Sequence, residues 1–429
     1  MEESSLKENE INKDLEYSAR AASSIINGEV KLKVGNTALG INALFETIEL
    51  PFAEINAINL NDYIVTIKTD DGDYAFSRLG SWCEPFYDML CDTYNKAVLR
   101  SLFIKGGPLV TARGSVTIDE PETNLTVPAP VHVYENNVTS LPYDLTARRV
   151  PLCFAESVEK GNYEYTIRLD TGESYTYAKL GYDTDPFAGA VESRIIKLRE
   201  QTLAAVKQID PALTAAEASR IARLIPLGSA APVAVLAGTA PSFVTALENK
   251  LSATRAAESY AVFKDLSGAA GIWLGIRKNE NLPSDPNETP DDPPPSPDPD
   301  GAEETGAPDA AETGTDEYLL WLIASSPDGA RAAVEFAEPD SATFIYNTGG
   351  DFARFAKQLS RALEAINFKR EVIRLSDEEL RKLEYSDYYM AAKRTPALQT
   401  IRSSFVTRII HSTPESWKKR LIEGWGRRY

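Results

Sequence analysis

Tyr63-Ile-Val-Thr-Ile-Lys-Thr-Asp-Asp-Gly72 returns one hundred residues later as Tyr163-Glu-Tyr-Thr-Ile-Arg-Leu-Asp-Thr-Gly172. Tyrosine, threonine, isoleucine, a basic residue, aspartate and glycine match in place. After a turn one residue longer in the second copy, Tyr74-Ala-Phe-Ser-Arg-Leu-Gly80 faces Tyr175-Thr-Tyr-Ala-Lys-Leu-Gly181. Glu84-Pro-Phe86 then faces Asp185-Pro-Phe187, and upstream Pro51 faces Pro151. Self-similarity at a fixed spacing is the mark of a duplicated structural unit.

Each copy has a readable shape. Residues 63–69 are rich in Tyr, Ile, Val and Thr and alternate, which predicts a strand. Asp70-Asp-Gly-Asp73 is a hairpin turn, and residues 74–78 return with Tyr74 and Phe76 on one face. Gly80 ends the hairpin. Ser81 and Glu84 have the spacing of a capping box, and Asp185-Pro186 that of an N-cap followed by proline in the first turn. A helix follows in both copies. The first carries Phe86, Leu90, Tyr94, Ala97, Val98 and Leu102, the second Phe187, Val191, Ile195, Leu198 and Leu203. Short β segments precede each hairpin, at 29–34, 37–41, 44–50 and 53–60, then at 110–118, 131–140, 148–155 and 156–160.

The run Leu50-Pro-Phe-Ala-Glu-Ile55, then Tyr63 to Thr69, Asp-Gly, Tyr74-Ala-Phe76 and a helix resembles bacterial domains of the pleckstrin-homology-like superfold, of the PH and GRAM type. The resemblance covers residues 25–104 and 105–206. It implies a seven-stranded, partly open barrel capped by a C-terminal helix, and a binding module without chemistry. Lipid-binding members carry a basic cluster between the first two strands. Here that place offers Lys31 and Lys33, and in the second copy Arg113.

The expected fold class is α+β, with tandem PH-like antiparallel units, a helical linker and a helical tail. Residues 1–24 form a polar N-terminal segment. Residues 207–268 are helical, with Thr214-Ala-Ala-Glu217 as a capping box. Residues 269–368 read as a degenerate third PH-like unit. Its strands include Ile272-Trp-Leu-Gly-Ile276, Tyr318 to Ala324, 331–337 and 342–346, and it repeats the order aromatic-x-aromatic, glycine, helix at Phe344-Ile-Tyr346. The unit is interrupted at 279–316 by twelve acids, nine prolines and no Lys, Arg or aromatic residue. That composition predicts a disordered loop between two strands. Residues 369–429 form a basic helical tail, within which Ser376-Asp-Glu-Glu379 starts a helix.

The net charge is −18, which argues against nucleic acid as a partner. No run approaches the length of a membrane span, and Met1 to Glu10 lacks the regions of a signal peptide, so the expected setting is cytoplasmic. His132 and His411, with Cys83, Cys91 and Cys153, are too few and too scattered for a zinc cluster or a disulfide framework. Asp70, Asp71 and Asp73 gather at a turn, where turn chemistry explains them ahead of calcium. No nucleophile, phosphate-loop or metallohydrolase motif occurs. The reading is therefore a non-enzymatic scaffold without cofactor or metal, recognising a protein or peptide. The alternative is a peripheral protein on anionic lipid, acting through the PH-like units and the tail. In either case the contact set is Trp417, Lys418, Lys419, Arg420, Leu421, Trp425, Arg427 and Arg428, since tryptophan and leucine beside lysine and arginine is the composition of a docking helix. The plainer reading packs this tail on its own domain.

Overall fold

The computed structural model describes residues 15–254, 256–278, 318–337 and 342–426. The expected disorder at 279–316 lies outside the described residues.

The first repeat is one seven-stranded antiparallel sheet. It comprises β1 (Glu16–Ala22), β2 (Asn27–Val34), β3 (Ala38–Asn42), β4 (Thr47–Pro51), β5 (Ile55–Asn61), β6 (Ile64–Thr69) and β7 (Asp73–Ser77), in the order β4-β3-β2-β1-β7-β6-β5. The sheet begins at Glu16, inside the segment read as a polar lead-in. Tyr17, Ala19 and Ala21 alternate inward there, but two of the three are alanine, which gives little apolar signal. Helix α1 (Cys83–Ser101) lays Phe86, Leu90, Tyr94, Ala97 and Val98 on the sheet. The Phe86 ring meets Tyr17 at 5.1 Å and Phe76 at 6.4 Å.

The second repeat has the same strand order. Its strands are β8 (Val110–Glu120), β9 (Thr123–Val133), β10 (Asn137–Ser140), β11 (Arg148–Pro151), β12 (Ala155–Lys160), β13 (Glu164–Leu169) and β14 (Ser174–Ala178), followed by α2 (Thr184–Ile209). The order is β11-β10-β9-β8-β14-β13-β12. Ile67 pairs with Tyr74 in one copy and Ile167 with Tyr175 in the other. Even the unusual backbone recurs: Arg78 and Lys179 have φ of 61° and 59°, Gly80 and Gly181 of 59° and 61°.

Several details differ from expectation for physical reasons. Tyr63 and Tyr163 sit in turns ahead of their strands, at φ of 60° and 62°. Asp62 and Tyr63 both take positive φ because a two-residue hairpin turn of that hand matches the strand twist. Neither expected helix cap forms. A 3₁₀ turn leads into each helix, with the Trp82 and Asp183 amides bonded to the carbonyls of Leu79 and Leu180, so no side chain caps the entry. Asp185 and Pro186 lie inside α2. Strand β9 runs through Pro128 and Pro130, which hid it. Proline is tolerated because β10 pairs only with Val131–Val133, and at Pro130 the edge away from β8 uses the carbonyl alone, which accepts from Leu141 N–H at 2.9 Å.

The third sheet is not another copy. It is a meander in the order β15-β16-β17-β18-β19-β20, unlike the other two. Before it come α3 (Ala215–Leu224), β15 (Ser229–Pro232), α4 (Val233–Thr239), α5 (Pro241–Ser252) and α6 (Ala256–Ser267). The sheet continues with β16 (Ile272–Lys278), β17 (Tyr318–Ser325), β18 (Arg331–Phe336) and β19 (Ala342–Asn347). Lys278 pairs with Tyr318, so the acidic stretch joins two partner strands. Helices α7 (Phe352–Ala365), α8 (Glu371–Arg374), α9 (Asp377–Leu380), α10 (Ser386–Arg394) and α11 (Pro396–Ser404) precede β20 (Phe405–Ile410) and α12 (Pro414–Gly426). The unit therefore takes an edge strand from the segment read as helical and another from the tail. Phe405-Val-Thr-Arg-Ile-Ile410 is β-branched and apolar, which suits an edge against β19 better than a helix. The capping boxes at Thr214–Glu217 and Ser376–Glu379 form as expected.

This sheet is buried on both faces. Leu274, Leu322, Ile345 and Ile409 join the core under α3 to α6 and α12, while Trp321, Ile323, Val334 and Tyr346 join the core of α7, α10 and the first repeat. Burial on both faces explains why β16 and β17 read as unbroken apolar runs.

Candidate functional site

The residues expected to face a partner divide sharply. Trp417, Leu421 and Trp425 are 3%, 0% and 7% exposed. Their rings pack on Phe263 at 5.8 Å and 6.0 Å, and Trp417 Nε1 donates to Thr343 Oγ1 at 2.8 Å. The apolar face of α12 thus belongs to the chain's own core. This corrects the docking-helix reading for its three apolar members. Lys418, Lys419 and Arg420 remain on the outer face, and Arg427 and Arg428 lie outside the described residues.

Beside Trp417 lies a buried polar cluster. Glu335, 0% exposed, accepts from Ser259 Oγ at 2.5 Å and Thr343 Oγ1 at 2.9 Å, and His411 Nε2 stands 3.4 Å away. His132 lies in β9 with Nδ1 3.0 Å from Thr111 Oγ1, and burial, helped by Arg113, lowers its pKa. Burial raises Cys83 and pushes Cys91 up to about 12, so both are thiols rather than nucleophilic thiolates.

The acidic turn has a structural partner. Asp70 accepts from Asn56 Nδ2 at 2.8 Å, Tyr389 Oη at 3.0 Å and Lys393 Nζ at 3.0 Å. Burial pushes this carboxyl up, but the bonds from Asn56, Lys393 and Tyr389 and the Lys393 charge outweigh it and hold the pKa at about 2. Asp70 therefore ties the first repeat to α10.

An exposed apolar surface lies at the same end of the first sheet. Every pair in this sheet is antiparallel, so the β1–β2, β3–β4 and β6–β7 turns share one end. The direction to a Cβ at Gly72 runs to within 3.4 Å of Ser24 Oγ, which places two of them side by side. The β3–β4 turn is closed by the Ala43 amide on the Glu46 carbonyl at 2.8 Å, and it lifts Leu44 and Phe45 outward. They are 84% and 94% exposed, and Ile25 in the β1–β2 turn is 54% exposed. These two turns stand on the order of 10 Å apart, two strand spacings. The charged residues of the three turns, Glu46, Asp70 and Asp71, are all acidic.

The corresponding turn of the second repeat, between β10 and β11, is a docking loop within the chain. Ile58 N–H in β5 donates to the Tyr143 carbonyl at 2.8 Å, and Ala57 bridges to Asp144. Asn95 Nδ2 on α1 donates to the Leu141 carbonyl at 3.4 Å, and the Tyr143 ring meets Tyr87 edge-on at 5.9 Å. The same connection in the strand order thus grips a neighbouring domain in the second repeat and carries exposed leucine and phenylalanine in the first. The sequence reading placed Leu44 and Phe45 in a strand. Their adjacency breaks strand alternation, and that was the available signal.

Compared with known proteins, the chain matches no family model and no curated sequence.

Proposed function

We propose that this chain is a non-enzymatic binding protein that recognises a protein or peptide through the apolar turn of its first repeat. The observation that carries this reading is the exposure of Leu44 and Phe45 at 84% and 94%, beside Glu46, on the turn whose counterpart already docks a domain. Large apolar side chains side by side in water mark an interaction site. The strand order, the same in both repeats with a helix after the last strand, supports the pleckstrin-homology-like reading of each. Glu46 beside Leu44 and Phe45 favours a partner with apolar and basic side chains. Free thiols at Cys83, Cys91 and Cys153 support a reducing, cytoplasmic setting.

The test is quantitative affinity capture from cell extract with wild type and a Leu44→Ser, Phe45→Ser double variant, alongside sedimentation with phosphatidylserine vesicles. The reading expects specific proteins captured by wild type and lost with the variant, and no sedimentation at about 0.15 M salt. Identical captures overturn it. Sedimentation that the variant abolishes replaces it with the lipid reading.

A further inference from the structure

Where the second repeat meets α7 and the α10–α11 turn, four arginines are buried together. Arg148, Arg149, Arg361 and Arg394 are 6%, 6%, 5% and 1% exposed. Two of them hold a carboxylate, and Arg394 is held by carbonyls and a tyrosine, with only its Nε unpartnered among the described residues. Arg148 holds Glu120 with two bonds, at 2.8 Å and 2.9 Å, and donates to three carbonyls. Arg149 pairs with Glu364 at 3.1 Å. Arg394 donates to the carbonyls of Met390 and Ile55 and to Tyr94 Oη, and lies over the Tyr94 ring.

Arg361 is different. Its Nη2 donates to the Arg149 carbonyl at 3.2 Å, but Nε and Nη1 have no hydrogen-bond partner among the described residues. It forms no ion pair with a carboxylate there either. The nearby Glu120 is already engaged by Arg148 and by Tyr175 Oη at 2.8 Å. Asp170 acts on Arg361 electrostatically without bonding to it, and a guanidinium held out of water with N–H groups unsatisfied is costly, by several kcal/mol per ion. Arg361 lines a cavity of about 20 Å³ together with Arg148, Arg149, Arg394, Tyr175 and two acidic residues, Glu120 and Glu173. That is room for one water-sized group, and it is too small for a phosphate or sulfate.

We propose that this junction binds a single small monovalent anion of the halide class, held by Arg361 Nε and Nη1. Four arginines against Glu120 and Glu173 on the cavity wall supply the charge, the cavity sets the size, and the two unpartnered N–H groups of Arg361 supply the direction. The bound anion joins the second repeat to α7 and the α10–α11 turn, so it stabilises their docking.

Chloride is the probe. The full-length protein in sodium gluconate at about 0.15 M ionic strength is exchanged stepwise into chloride, and its melting temperature is followed. A single site predicts a rise of about 2–4 °C that saturates, because an anion binding only the folded state stabilises by mass action. Bromide reproduces the rise, and sulfate at the same ionic strength does not. Arg361→Met melts at or above wild type in gluconate and is insensitive to chloride, since the unpaired charge is gone. Chlorine-35 line widths on wild type give a second measure that needs no variant: excess broadening that bromide competes away. Equal melting in gluconate and chloride, a chloride response unchanged in Arg361→Met, or no excess broadening overturns the proposal.

Discussion

Replacing Asp70 by Asn isolates the tie between the first repeat and α10 while keeping its shape. The carboxyl is held at about 2 against an ordinary value of 3.8. At about 1.4 kcal/mol per pKa unit the full shift is worth roughly 2.5 kcal/mol. Two observations reduce it. The Asp70 side chain is 37% exposed, so water screens the attraction. Lys393 is itself lowered, burial outweighing its attraction to Asp70, so part of the gain is returned in desolvating the ammonium. About 1 kcal/mol remains. The folded pKa is depressed, so this stability is present above the unfolded value near 4 and is lost as pH falls through about 2. Urea unfolding of wild type and Asp70→Asn at pH 7, 5 and 3 checks both size and sign. The expected difference is about 1 kcal/mol at pH 7 and 5 and clearly smaller at pH 3. A difference that is constant with pH, or that grows in acid, refutes the reasoning.

Two further outcomes follow from packing. Gly275→Ala would drive a Cβ to 2.0 Å from the Trp321 ring, so it should cost about 3 kcal/mol or more and shift tryptophan fluorescence, whereas a neutral result would place the ring elsewhere. Trp417→Ala should cost about 3–5 kcal/mol in urea unfolding, while Lys418→Gln with Lys419→Gln stays within about 0.5 kcal/mol, because only the tryptophan is buried.

The duplication was legible because Tyr63–Gly80 and Tyr163–Gly181 repeat strand, turn and helix entry in one order, and the backbone follows residue by residue. Less legible were features set by tertiary context. Strand β1 has alanine at two of its three inward positions, β9 hides two prolines where β10 does not pair with it, and β20 becomes a strand only because β19 offers an edge. The third unit shares local signals with the repeats, yet local signals do not specify strand order, and the order differs. In the tail, amphipathic spacing correctly gave the helix. It could not say whether the apolar face meets a partner or Phe263, because both demand the same pattern. Leu44 and Phe45 were masked for the opposite reason: two apolar residues in a row look like strand when the turn that lifts them is only four residues long.

The β3–β4 turn of the first repeat is the proposed site at which a partner protein binds. A benzophenone side chain placed at position 45, photolysed in cell extract, tests it most directly. Position 182 serves as the control, because Tyr182 is fully exposed on the second repeat, in the turn that leads into α2. The account predicts a discrete protein adduct from position 45 that is absent from position 182. The same adducts from both positions, or adducts to lipid alone, would contradict it.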